Sequence, residues 1–269
     1  MTSTQRQPIY FVSHGGGPWP WMPEQAAMYA PLTQALQSIP AQLPQSPAAI
    51  LMVSAHWITQ GAVQVTSAAN PGMLYDYYGF PAPTYQIHYR APGSPELAGR
   101  VTTLLQGQGV AVTADSQRGY DHGAFVPAYV MVPQATIPMV QLSIEAGFDP
   151  DFHHALGLAL QPLRDENILI VGSGLSYHNL RRFGPAGREP SAQFDAWLQD
   201  ALIDRDLNAR QETLRRWSQA PSARIAHPME DHLVPLFVAS GAAGEDKATC
   251  FHHEVDAFGS LTVSSFRFG

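Results

Sequence analysis

The sequence predicts an α/β domain with a central, mainly parallel or mixed sheet covered by helices on both faces. Three observations carry that expectation. Short apolar runs rich in β-branched residues recur along the chain, each bounded by turn residues. Segments with helical spacing alternate with them, which is the pattern of strands crossed over by helices. At 269 residues and 45% hydrophobic, the chain is long and apolar enough for one large core without staples.

The strand candidates run in order. Residues 9–12 (IYFV) form the first, and 49–54 (AILMVS) the second. Residues 62–66 (AVQVT) alternate and are shorter; 138–142 (PMVQL) and 168–171 (ILIV) read as buried strands. Residues 261–268 (LTVSSFRF) alternate and suggest a last strand at a sheet edge. Helices are expected over 23–38, 95–106, 151–163, 191–205 and 232–243; the first two carry Pro in their first turn, which helices tolerate. Residues 70–95 are rich in Tyr, Pro and Gly and lack periodicity. They read as a long ordered loop, and such loops in compact domains usually serve function. No repeat, linker or low-complexity block interrupts the chain, so a single catalytic domain over 1–269 is expected, with residues 1–7 flexible.

Composition narrows the function. The formal charge is −7 with only 15 Lys and Arg and no basic run, which argues against nucleic acid. The apolar run that follows the polar first residues is too brief for a signal peptide or a membrane span. The single cysteine, Cys250, allows no internal disulfide, and a cytoplasmic protein is the default.

Histidine is plentiful, at 11 residues. Three histidines follow separate apolar runs: His14 in SHGGGP, His56 in SAHW and His178 in GSGLSYHNL. Strand ends are where α/β proteins keep their ligands, and glycines there allow close backbone approach. Two more lie in polar settings, His122 in RGYDHGAF and His232 in HPMEDHLVPL. A lone histidine after a strand is usually a hydrogen-bonded loop residue. The set His14, His56, His178 and His232, converging from different elements, reads instead as a candidate metal site, since imidazole is the commonest ligand for zinc and iron. Glu230 and Asp231 read as ligands, as partners for an imidazole N–H, or as a solvated turn. His227 shares the polar setting of His232. His88, His153, His154, His252 and His253 read as loop, helix or strand residues, with His88 at a pocket mouth. GGG is not followed by Lys-Ser/Thr and is no phosphate loop, and GSG lacks the spacing of a nucleophile elbow.

Taken together, SHGGGP, SAHW, GFPAPTYQIHYRAPGSPELA, RGYDHGAF, IPMVQLSI, VGSGLSYHNL and HPMEDHLVPL resemble, in order and over nearly the whole chain, the extradiol ring-opening dioxygenases of the 4,5-DOPA dioxygenase type, within the LigB-like class III superfamily. The resemblance implies a single α/β domain and a mononuclear non-haem Fe(II) site that zinc can also occupy. It implies metal ligation by His14, His56, His178 and His232. His122 is implied as a further active-site group that moves protons. Four histidines on one iron would leave only two positions for three donor atoms, so His178 reads as a ligand at rest and an acid–base group during reaction. The implied reaction inserts O₂ into a DOPA-like or otherwise substituted catechol and yields a muconic semialdehyde. The implied partners are that small substrate and O₂, with no membrane or nucleic acid, in a monomer or homodimer. Glu230 is the nearest candidate for a facial-triad carboxylate. The sequence departs from the common pattern at Trp19, Trp21, Phe125 and Tyr177, which are expected either to wall the substrate pocket or to pack within loops. A zinc-dependent hydrolase on the same scaffold is the alternative. A non-enzymatic metal-binding protein is a third reading, disfavoured by the open cleft that the spread of histidines suggests.

Overall fold

The computed structural model describes residues 6–269. One mixed sheet of eight strands runs in the order β4-β3-β5-β2-β6-β1-β8-β7. The strands are β1 (Ile9–Ser13), β2 (Ala49–Thr59), β3 (Val63–Thr66), β4 (Val112–Asp115), β5 (Met139–Glu145), β6 (Ile168–Gly174), β7 (Ala248–Ala257) and β8 (Leu261–Phe268). The central four, β5-β2-β6-β1, are parallel, while β8 pairs antiparallel with both β1 and β7. β8 is therefore internal, and β7 takes the edge expected for it.

Strand alternation divides the core into two layers. Ile9, Phe11, Leu51 and Val53 pack on one face with α2 (Pro95–Gly107), α4 (Pro150–Leu160), α5 (Arg188–Leu202) and α8 (Val234–Ala243). Tyr10, Val12, Ile50 and Met52 pack on the other with α1 (Ala30–Gln42), α3 (His122–Met131) and the long loop through Tyr77, Ile87 and Tyr89. The shorter helices α6 (Leu207–Arg215) and α7 (Ala223–Ala226) complete the first side. Every residue of α8 is buried, so this helix is apolar all round, as a helix enclosed by sheet and neighbours must be.

Several boundaries differ from expectation. The helix expected over 23–38 begins only at Ala30, because Pro31 in its first turn starts it and Pro23–Gln25 forms a separate 3₁₀ turn. The helix expected from His232 begins at Val234. β4, β7 and α3 had no counterpart in the sequence reading. Of the residues expected to be flexible, 1–5 lie outside the described residues. Gln7 is fully buried and its amide donates to Gln45 O and Asn167 Oδ1. No helix among the described residues is long and apolar enough to cross a membrane.

Candidate active site

The carboxyl ends of β1, β2 and β6 open onto one cavity of ≈ 890 Å³. Its floor holds His14, His56, His122, His178 and His232, together with Asp76 and Asp231.

His14 leaves β1 with its N–H bonded to Gly174 O at 3.2 Å. The glycines after it answer a steric demand. Gly15 and Gly17 have φ of +74° and +57°, and a Cβ on either would run into the ring of Trp19 or of Phe80. Trp19 Nε1 donates to His14 O at 2.8 Å, and Gly16 N donates to the Tyr29 hydroxyl at 3.0 Å. Trp19 and Tyr29 stack at 4.5 Å. The first loop is thus nailed down by the two rings on which its glycines lie.

His56 does not follow the end of its strand, as the sequence suggested. β2 continues to Thr59, and His56 sits where the register with β5 shifts between Val53 and Ile58. Such an irregularity re-aims side chains without ending the strand. Its backbone is fixed from two sides: His56 N donates to Ser54 Oγ at 3.2 Å, and Arg118 donates to His56 O at 3.2 Å. Ser54 and Arg118 both also bond the buried Asp121, at 2.7 and 3.0 Å. Asp121 caps α3 by accepting from Ala124 N at 3.1 Å, so His122 occupies the first turn of that helix.

His178 lies on the loop after β6, and its N–H donates to Ala226 O of α7 at 3.0 Å. Asn179 donates to Ile225 O at 2.7 Å, and His227 bonds Ser176 O at 3.0 Å, so α7 braces this loop. His232 O accepts from Leu175 N at 3.0 Å.

The ring nitrogens show what the cluster is built for. The Ser173 hydroxyl donates to Gly123 O at 2.5 Å, so at 3.2 Å it can only accept from His14 Nδ1–H. Asp76 Oδ2 lies 3.3 Å from His56 Nδ1, and Asp231 Oδ2 lies 2.9 Å from His232 Nδ1. Each of these three rings therefore carries its proton on Nδ1 and leaves Nε2 as a bare lone pair. Yet the Nε2 atoms face one another, at 3.1 Å from His14 to His56 and 3.2 Å from His56 to His232. Lone pairs so close repel unless a cation lies among them. Bonds of about 2.0–2.1 Å from nitrogen to a shared metal would put adjacent donors roughly 3 Å apart. Partners on the second nitrogen are the usual support of metal-binding histidines. Burial pushes His14 and His232 well below the ordinary histidine value, and burial followed by the His122 charge pushes His56 to about 3. All three are neutral near pH 7, as ligands must be. The residues fit one divalent transition metal.

His178 groups with Asp231 and His232, their ligand atoms within 4.8 Å of one another. Its ring stacks on His232 at 3.4 Å, and its Nδ1 is 3.9 Å from Asp231 Oδ1, a buried oxygen with no hydrogen-bond partner among the described residues. His122 lies beside His56, ring centroids 3.9 Å apart, and its ligand atom is within 4.8 Å of those of His14 and His56. Its Nδ1 and its backbone N–H both meet Asp76 Oδ1, at 2.8 and 2.9 Å, which leaves its Nε2 free to accept. Asp76 therefore clamps His56 with one oxygen and His122 with the other. Burial alone would raise its pKa, but the bonds and charges of His122 and His56 together hold it below the ordinary carboxylate value. For Asp231 burial wins and the pKa is raised.

Other expectations need correction. Glu230 is no part of the cluster, for its carboxylate pairs with Arg224 at 2.6 Å. Asp231, the adjacent residue, faces the histidines. Trp19, Trp21, Phe125 and Tyr177 do not wall the cavity: Trp21 packs near Phe125 and Tyr129, and Tyr177 is buried with its hydroxyl on Arg182 O. The aromatic walls are Tyr29, Tyr77, Tyr78, Phe80, Phe183 and Phe258. Asp76 escaped the sequence reading altogether; its only signal was its place in the long loop. His153 is buried in α4, accepting from Glu145 N at 3.0 Å, and His88 lines a separate cleft.

Comparison with known proteins agrees with this geometry. Residues 8–268 match the family model of the catalytic LigB subunit of aromatic ring-opening dioxygenase. The chain is 44% identical to a 4,5-DOPA dioxygenase extradiol of Beta vulgaris, over 83% of this chain and 84% of that one. It is 35% identical to the Escherichia coli K12 protein of the same name, over 100% and 97%. A crystal structure of an uncharacterised Escherichia coli K12 protein superposes with a TM-score of 0.77 at 31% identity, covering 98% of this chain and all of that one. These matches do not favour the hydrolase alternative. From the first strand to the last, this chain belongs to the LigB family of aromatic ring-opening dioxygenases.

Proposed function

We propose that the protein is a non-haem Fe(II)-dependent extradiol dioxygenase. It adds O₂ to a catechol, breaks the ring C–C bond beside the diol, and releases a muconic semialdehyde holding both oxygen atoms. The observation that carries this reading is the approach of His14 Nε2 and His232 Nε2 to His56 Nε2, at 3.1 and 3.2 Å, at the floor of an aromatic-walled cavity. These three would hold the metal, with Asp76, Asp231 and Ser173 fixing their orientation. Iron bound there supplies the electron coupling between catechol and O₂ that side chains cannot.

The protein's own groups handle the protons. A catechol must lose at least one proton to react. His178 is held below its ordinary pKa by burial, against the opposing charge of Asp231, so it enters the reaction neutral and able to accept that proton. His122, its Nδ1–H committed to Asp76, offers Nε2 as a second acceptor. Phe80 and Phe183 offer flat apolar faces to the ring.

The test is to add Fe(II) anaerobically to metal-free protein, then supply catechols in air and follow O₂ uptake with the visible spectrum. Uptake near one O₂ per catechol with a yellow product, both absent in His56→Ala, is expected. No uptake across a broad catechol panel would overturn the reading.

A further inference from the structure

α3 opens on Asp121, its cap, followed by His122 and Gly123, and each of the three serves the histidine floor differently. Asp121 fixes the backbone of His56 through Ser54 and Arg118. His122 brings its own ring to the cavity. Gly123 is buried and has no side chain to contribute, yet it meets two further parts of the arrangement. Its carbonyl accepts from Ser173 Oγ at 2.5 Å, and that hydroxyl accepts from His14 Nδ1–H at 3.2 Å. A carbonyl oxygen can only accept, so the direction of both bonds is fixed, and His14 is turned with Nε2 towards His56. On its other side Gly123 packs against His56. A Cβ here would stand 2.8 Å from His56 Cδ2 and 2.5 Å from Ser54 Oγ, closer than side-chain carbons come in folded proteins. Both neighbours are tied. Ser54 Oγ donates to Asp121 Oδ1 at 2.7 Å and accepts from His56 N at 3.2 Å. The His56 ring has Asp76 at 3.3 Å from Nδ1 and His14 at 3.1 Å from Nε2. The helix itself does not ask for glycine: φ at Gly123 is not in the left-handed region, and alanine is the better helix former. The glycine therefore answers to the histidines and not to the helix.

We infer that Gly123 is a positioning residue for the metal site, an inference that rests on the reading of His14, His56 and His232 as the ligands. Its carbonyl turns His14 through Ser173, and its missing Cβ lets the His56 ring approach that of His14. A methyl group there would drive His56 from its place without removing any donor atom.

Gly123→Ala should fold, as a cooperative thermal melt of the metal-free protein would show. Its affinity for Zn(II), read on metal-free protein by competition with a chromophoric chelator, should fall at least about tenfold. The visible spectrum of its Co(II)-loaded form should differ from the parent's, because the donors around the ion have moved. Gly99→Ala, at a helical glycine of α2 with open space where the Cβ would lie, should leave both readings unchanged. Ser173→Ala cuts the link to His14 without crowding His56, and should weaken Zn(II) binding as well; it decides alone if Gly123→Ala does not fold. Unchanged Zn(II) affinity in folded Gly123→Ala overturns the inference, and so does unchanged affinity in Ser173→Ala. Loss of Zn(II) affinity in both variants, with no O₂ uptake by the Fe(II)-loaded parent from any catechol, sinks the ring-opening reading and leaves Gly123 as a positioning residue. O₂ uptake by the parent, with Zn(II) affinity equal in all forms, does the reverse.

Discussion

At the scale of single residues, the site depends on which nitrogen of each imidazole holds the proton. Ser173 and Asp231 bond Nδ1 of His14 and His232, and Asp76 Oδ2 lies 3.3 Å from Nδ1 of His56, which turns the three Nε2 atoms into the cluster. Removing a donor should differ from removing a proton carrier. His14→Ala, His56→Ala and His232→Ala should each abolish tight binding of Fe(II), Co(II) or Zn(II), measured by metal content after dialysis. His178→Gln should keep the metal and lower kcat by about 10²–10⁴-fold. Loss of metal from His178→Gln would make His178 a ligand and undo that division. Asp76→Asn keeps the shape but cannot accept from both His56 and His122 as a carboxylate does. It should weaken metal binding or activity by about 10–100-fold, and unchanged metal affinity and kcat together would deny Asp76 a positioning role. His14, His56 and His178 were legible in sequence because each follows a strand run, and His122 and His232 because each stands in a short polar motif. Asp76 was not, because it is 20 and 46 residues from the two rings it holds, in a loop without periodicity.

At the scale of elements, the bend within β2 and the start of α3 are joined by Asp121. This carboxylate caps the helix, accepts from Ser54 and Arg118, and is also bonded by Gln141 of β5. Burial raises its pKa. Asp121→Ala would strip a cap and leave the part-buried Arg118 without its ion pair, so a loss of about 3–5 kcal/mol is expected from urea unfolding. Ser94→Ala, which removes only the cap on Leu97 N at the start of α2, should cost about 1 kcal/mol. Equal losses for the two would show that Asp121 is no more than a cap. α3 was illegible in sequence for a physical reason: with all but one of its residues buried and Pro127 inside, it has no polar face to give a helical rhythm. β7 escaped for the opposite reason, since an edge strand with exposed positions and irregular pairing shows little apolar run. The end of β2 was misplaced because the sequence AHWIT does not reveal an irregular register that only the neighbouring strand defines.

At the scale of the whole molecule, burial of histidines outside the set His14, His56 and His232 couples stability to pH. Burial pushes His227 to about 3, and His154 and His252 to about 4, against an ordinary 6.5. The unfolded chain therefore binds more protons than the folded one between these values. Stability is fully present above pH ~6.5 and is lost as pH falls towards 4, where the unfolded histidines are charged and the buried ones must follow. Thermal melts of metal-free protein at pH 7.5, 6 and 5 should show a falling Tm, and a flat profile would contradict the burial of these rings.

What the sequence determined by itself was the class of fold and the identity of the histidines that gather at its site. Both are written in local terms: strand runs, turn glycines and the order of short motifs. Tertiary structure decided which of those histidines converge, which carboxylates hold them, and which rings wall the cavity. Those choices rest on contacts between residues far apart in the chain, as when Gly17 must leave room for Phe80, or when Asp76 spans two elements to reach His56 and His122. A side chain's neighbours across a sheet end are set by strand order and register, and neither is contained in any local stretch of residues.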